Sequence, residues 1–95
     1  MATQFERGET VICYATVRDQ LGALADPATS IKVTVKGHHG VVVVDDASMV
    51  RDSLGQYHYD YTVSPTGEVG WYSVRITAVD GARTTKQDDG FEVVP

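Results

Sequence analysis

Gln56-Tyr57-His58-Tyr59-Asp60-Tyr61-Thr62-Val63 alternates without a break between polar residues and aromatic or apolar ones. In an extended chain successive side chains point to opposite faces, so Tyr57, Tyr59, Tyr61 and Val63 share one side. The same period extends outward in both directions. Upstream, Thr10-Val11-Ile12-Cys13-Tyr14-Ala15-Thr16-Val17 gathers Val11, Cys13, Ala15 and Val17, small and branched residues suited to the inside of a sandwich. Ile31-Lys32-Val33-Thr34-Val35-Lys36 is a half-buried strand with Ile31, Val33 and Val35 inward. Downstream, Trp71 to Val79 places Tyr72, Val74, Ile76 and Ala78 on one face.

Turn signals separate these runs. Asp19 to Gly22 makes a turn, Gly37-His38-His39-Gly40 a hairpin loop with a return strand over Val41 to Val44, and Ser64 to Gly70 a loop. Asp80-Gly81 is a two-residue hairpin signal. Ala82 to Lys86 and Phe91 to Val94 form the last strand, with a bulge expected near Asp88-Asp89-Gly90. A short first strand is expected around Gln4 to Glu6. Asp45 to Ser53 is polar with Met49 as a core contact, and Asp26 to Ser30 has room for a single helical turn. About seven strands at this spacing predict an all-β antiparallel sandwich, one domain over 1–95.

Composition narrows the function classes. Hydrophobic residues make up 42% of the 95 and the net charge is −5, which suits a packed core rather than a disordered chain. The eight Lys and Arg are scattered from Arg7 to Lys86, so no phosphate-binding cluster forms and nucleic acid is not an expected partner. The acidic balance disfavours an anionic membrane, and no apolar run is long enough to span one. Cys13 is the only cysteine, which excludes an internal disulfide. Asn is absent, so N-glycosylation has no acceptor. Met1 to Thr10 has neither a basic n-region nor an apolar h-region, so no signal peptide is expected. Two readings stay open: a small gene product made in a cytoplasm, or one module of a larger secreted protein.

A wider layout is carried by particular residues. Phe5 and Arg7-Gly8-Glu9 precede the first long strand, and Asp19 and Gly22 follow it. Asp26-Pro27 leads into Ile31-Lys32-Val33, Gly55-Gln56-Tyr57 opens the aromatic strand, Gly70-Trp71-Tyr72 opens the next, and Phe91-Glu92-Val93 closes the chain. This layout resembles bacterial immunoglobulin-like modules of the macroglobulin and fibronectin type III kind. It is most similar to small immunoglobulin-like proteins among the virion genes of tailed bacteriophages. The resemblance implies an immunoglobulin-like sandwich without catalytic residues. It also implies a virion accessory role in capsid decoration, tail or adhesion, assembled in a host cytoplasm. Tyr72, behind a glycine at a strand start, resembles the tyrosine corner of sandwich folds.

His38, His39 and His58 would hold zinc only if they converged, and neighbours in a tight turn diverge. Asp45, Asp46 and Asp52, or Asp88 and Asp89, could bind calcium between loops, although solvated turn carboxylates are the simpler reading. Cys13 takes the inward parity of an inert thiol. Ser30, Ser48, Ser53, Ser64 and Ser73 lack a nucleophile-elbow context. An isopeptide bond would need a buried lysine, whereas Lys32 and Lys36 point outward and Lys86 lies near a strand end. No enzyme activity, metal or cofactor is expected. Trp71, Ile12 and Tyr14 carry outward parity, and Trp71 serves either a partner contact or a cap on the core. If their strands were near one another, an exposed apolar patch would mark the docking site. The expected partner is protein: a capsid, a tail or a second copy. The alternative is a secreted or cell-surface module that binds carbohydrate or another host-surface ligand through loops and Trp71.

Overall fold

The structure, a computed structural model, describes residues 4–95; Met1 to Thr3 of the expected domain lie outside the described residues. Eight strands follow in order: β1 Gln4–Glu6, β2 Thr10–Thr16, β3 Ser30–Lys36, β4 Val42–Ser48, β5 Val50–Ser53, β6 Gln56–Thr62, β7 Gly70–Asp80 and β8 Arg83–Val94. There is no helix among the described residues, and Asp26 to Thr29 adopts no helical turn. A five-stranded sheet, β1-β8-β7-β3-β4, faces a three-stranded one, β2-β6-β5. The fold is an all-β sandwich without a disulfide, and its strand order is consistent with an immunoglobulin-like arrangement. One pair departs from the antiparallel expectation, because β1 runs parallel to β8 through Gln4↔Glu92, Phe5↔Val93 and Glu6↔Val94.

The alternating runs bury most of what their period assigned inward, with Val17, Tyr59 and Tyr61 half-buried against the core. Val11, Cys13 and Ala15 of β2 meet Val33 and Val35 of β3 and Tyr72, Val74, Ile76 and Ala78 of β7 in one apolar cluster. Tyr72 stacks on Phe91 at a centroid separation of 5.2 Å, Tyr61 tilts against both, and Phe5 meets Phe91 edge-on at 5.8 Å. The Tyr72 hydroxyl donates to the Glu68 carbonyl at 2.7 Å, tying the β6–β7 loop to the sheet as a tyrosine corner does.

Three local expectations are corrected. The last strand carries no bulge near Asp88 to Gly90: β7 and β8 stay in unbroken register from Gly70↔Val93 to Asp80↔Arg83. That register also moves the tight turn by one residue, to Gly81-Ala82, with Gly81 at φ +60. Gly in the first central position with positive φ fits the twist of a hairpin. The bulges sit instead in β4, one at the start of the stretch read as polar and one within the return strand expected over Val41 to Val44. From Val33 to Val35 its partner moves from Ala47 to Val44, and from Val35 to Lys36 it moves from Val44 to Val42. Each step holds one residue too many. Asp46, at φ +53, absorbs one of them, its N–H donating to Thr34 Oγ1 and its carboxylate 3.6 Å from Lys32 Nζ. Met49 is buried where the chain crosses between sheets from β4 to β5.

A second node pins the β2–β3 connection. The Asp26 carboxylate accepts from the Gly55 N–H at 2.9 Å, the Tyr57 hydroxyl at 2.9 Å and Arg51 Nε at 3.0 Å. Gly55 is required here, at φ +71, and a Cβ on it would stand 2.7 Å from the Val17 carbonyl oxygen. The Gly55 hydrogen bond, then those from Tyr57 and Arg51, hold the Asp26 carboxyl below its ordinary range against a smaller opposing effect of burial.

Phe91→Ala should lose about 3–5 kcal/mol and Tyr72→Phe about 1 kcal/mol in urea unfolding, against a total of about 5–15 kcal/mol for a domain of this kind. Because the folded Asp26 carboxyl binds its proton less readily than the unfolded one, stability falls as pH drops through 3.8 toward the lower folded value. Thermal melts from pH 6 to pH 2 should show that fall, and Asp26→Asn should be less stable at neutral pH with a shallower acid slope.

Candidate interaction surfaces

Trp71 lies on the outer face of the five-stranded sheet, opposite Glu92, with 53% of its surface exposed. Its indole covers Gly90 on β8. A Cβ at Gly90 would fall 2.3 Å from Trp71 Cζ2 and 2.6 Å from Cε2, and Gly90 is buried although it pairs with the outward Ser73. The ring therefore rests on the sheet with its other side toward solvent; it does not cap the core. Beside it, Arg75 grips Asp88 across the strands through two hydrogen bonds, 2.7 and 3.1 Å, which hold the Asp88 carboxyl below its ordinary range. Thr34, Lys36 and Ser73 complete a polar hollow there.

Ile12 and Tyr14 do point outward, at 39% and 62% exposure, but from β2 in the other sheet. They belong to the opposite outer face, so the single patch with Trp71 does not form. On their own face Tyr14 pairs with His58, which pairs in turn with Val50, and Ile12 pairs with Asp60. Further exposed apolar residues, Val41, Val42 and Val43, line the β4 edge.

The titratable residues are dispersed. His58 Nδ1 meets Asp52 at 2.6 Å on the three-stranded sheet. His38 and His39 sit at the β3–β4 turn, their rings edge to face at 5.0 Å, with His39 bonded to Glu68 and His38 against Gly70. The three histidines do not converge. Among the described residues no three His, Cys, Asp or Glu side chains come together as metal ligands. Asp46, Asp52 and Asp88 each face a separate basic partner. Lys32 is half-buried beside Asp46, and Lys36 and Lys86 are exposed. Cys13 is buried, and burial first, then the Asp89 and Asp60 carboxylates, push its thiol up to about 11. At neutral pH it is protonated and a poor nucleophile.

One feature escaped the sequence reading. Among the described residues β2 pairs only with β6, and β8 pairs only with β7 until β1 joins it at Glu92. On β7, Val74, Ile76 and Ala78 are buried, yet their partners on β8, Asp89, Gln87 and Thr85, are exposed. The larger sheet therefore overhangs the smaller by one strand. Two hollows lie along this open side. One, of about 60 Å³, lies at the level of Val11 to Tyr14 with Val74, Ile76, Asp89 and Phe91 on its walls. The other, of about 70 Å³, lies at Thr16 to Arg18 with Ile31, Ile76, Ala78, Thr85 and Gln87. No family model, curated protein or solved structure matches the chain.

Gly90→Ala should displace the indole and also lower stability, because its Cβ would stand 2.7 Å from the Tyr72 carbonyl oxygen; in the folded variant the fluorescence of Trp71, the only tryptophan, should become more accessible to acrylamide. The raised Cys13 thiol makes stability fall as pH rises from 9.0 toward about 11, where the unfolded chain has lost a proton that the folded chain keeps. Urea midpoints should drop over that window, and Cys13→Ala should remove the part that begins near pH 9, ahead of the tyrosines.

Proposed function

We propose that this chain is a non-enzymatic interaction module, of the virion accessory kind that its layout resembles, docking through sheet surfaces on a protein assembly. The observation that carries this reading is where the exposed aromatic residues stand. Trp71 and Tyr14, with Ile12 beside Tyr14, lie on strands held by unbroken register, whereas the exposed Leu21, Val41 and Leu54 lie in the connections. Aromatic side chains on a rigid face bind partners at low entropic cost and are favoured anchors. The interior supports the same reading, because Tyr72, Phe91 and the valines of β2, β3 and β8 fill it. A capsid or tail would meet Trp71 on one face or Ile12 and Tyr14 on the other.

A second reading has its own observation. An indole lying on a sheet over a glycine, with Ser73, Arg75 and Asp88 beside it, is a platform on which a sugar ring can stack and hydrogen-bond. Light scattering and co-sedimentation with purified phage capsids and tails test the first reading. Stoichiometric pelleting, weakened at least about tenfold by Trp71→Ala or Tyr14→Ala at a hot-spot contact, is the expected result. A strict monomer that pellets with none of them overturns it, and saturable binding of Trp71 to an oligosaccharide would favour the second.

A further inference from the structure

We propose that the open side of the sandwich between β2 and β8 accepts one extended strand from a partner polypeptide, paired to β2 and carrying a basic residue beside Asp89. The inference rests on the reading of this chain as an interaction module and names the contact.

The free edges of the molecule are not equivalent. β4 carries two bulges and a left-handed Asp46, devices that blunt an edge. β5 has four residues and a register shift, and β1 has three residues. The free part of β8, Arg83 to Gly90, is polar throughout. Among the described residues, β2 alone offers a free edge of seven residues in unbroken register with its neighbour, apolar on the inner face and with Ile12 and Tyr14 on the outer. Its unpaired N–H and C=O groups are a template for strand addition.

The space beside β2 fits a single strand. The overhang is one strand wide, about 4.8 Å between neighbours. The β2 edge of a second copy does not fit, because that copy's own larger sheet covers its β2 and would collide with the overhanging β8. The two hollows lie about four residues apart along β2, or roughly 13 Å, and Ile76 stands between them. On an incoming strand, side chains i and i+4 point the same way, so both enter the hollows while i+2 faces Ile76.

Charge completes the description. Asp89 lines the first hollow, and its carboxylate bonds only to the adjacent Gly90 N–H, at 2.8 Å. It has no ion-pair partner among the described residues, and Asp88 is engaged by Arg75. A lysine or arginine on the incoming strand would supply one.

The test uses a synthetic peptide, Thr-Val-Thr-Ala-Thr-Val-Thr-Lys, whose lysine falls on the same face as its valines and alanine. Run antiparallel to β2, it puts its valines in the two hollows and the alanine between them on Ile76, and its lysine side chain reaches back to Asp89. Titrated into the isotope-labelled chain, it should shift the β2 amides and abolish exchange of those facing the free edge. A peptide N-methylated at the residues that pair with β2 should lose binding. Asp89→Asn, at an exposed position, should bind about twofold to fivefold more weakly. Equal binding by the N-methylated peptide, or no shift at millimolar peptide while the folded spectrum persists, overturns the proposal. A chain that pellets with particles yet ignores the peptide keeps the interaction reading and loses the strand site. A chain that takes the peptide but pellets with nothing keeps the strand site and loses the virion reading.

Discussion

The two sheets are held together by side-chain contact alone, and the rest of the structure depends on that constraint. With one cysteine there is no covalent tie across the sandwich. Its place is taken by Tyr61 of the smaller sheet, which tilts against Tyr72 and Phe91 of the larger one at 6.4 Å, and by the valines of β2 and β3 that meet across the core. Tyr72 also holds the β6–β7 loop through its hydroxyl, so one residue couples the core to the loop that precedes β7. At the other end Asp26 gathers the β2–β3 connection, the β5–β6 turn and Tyr57 with three hydrogen bonds. Core burial drives the fold, and these two polar ties decide how its loops close.

The same economy leaves the sandwich unequal. Pairing β1 with β8 rather than with β2 gives five strands on one side and three on the other. Both consequences bear on the proposed docking. The larger sheet has a broad outer face on which Trp71 lies over Gly90, with the Arg75–Asp88 pair beside it. The smaller sheet ends in a free, regular edge at β2 beside an uncovered strip of β8. Surface and edge are rigid because each is part of a ladder, and rigidity lowers the entropic cost of binding.

Much of the fold was legible where one face of a strand packs on the core and the other meets solvent. Tyr57 to Val63, Val11 to Val17 and Tyr72 to Ala78 alternate because the sandwich has a dry side and a wet side. Legibility failed where that contrast fails. Asp45 to Ser53 read as a connection because β4 and β5 are half-exposed edges and two bulges reset the period within β4. The expected bulge at Asp88 to Gly90 was an inference from polarity, whereas the polarity comes from the overhang: Thr85, Gln87 and Asp89 face inward but meet no opposing strand. Parity gave the outward direction of Trp71, Ile12 and Tyr14 correctly. It could not say that they belong to different sheets, because sheet membership depends on long-range pairing that no local pattern encodes.

The central claim is that this chain works through its sheet edge and faces rather than through its loops. Amide hydrogen exchange on the chain, free and bound to an assembled particle, tests it most directly. The account predicts slowed exchange along β2 and no comparable change in the loops. Protection confined to the loops around 18–25, 37–40 and 64–69, with the β2 edge exchanging as in the free chain, would contradict it.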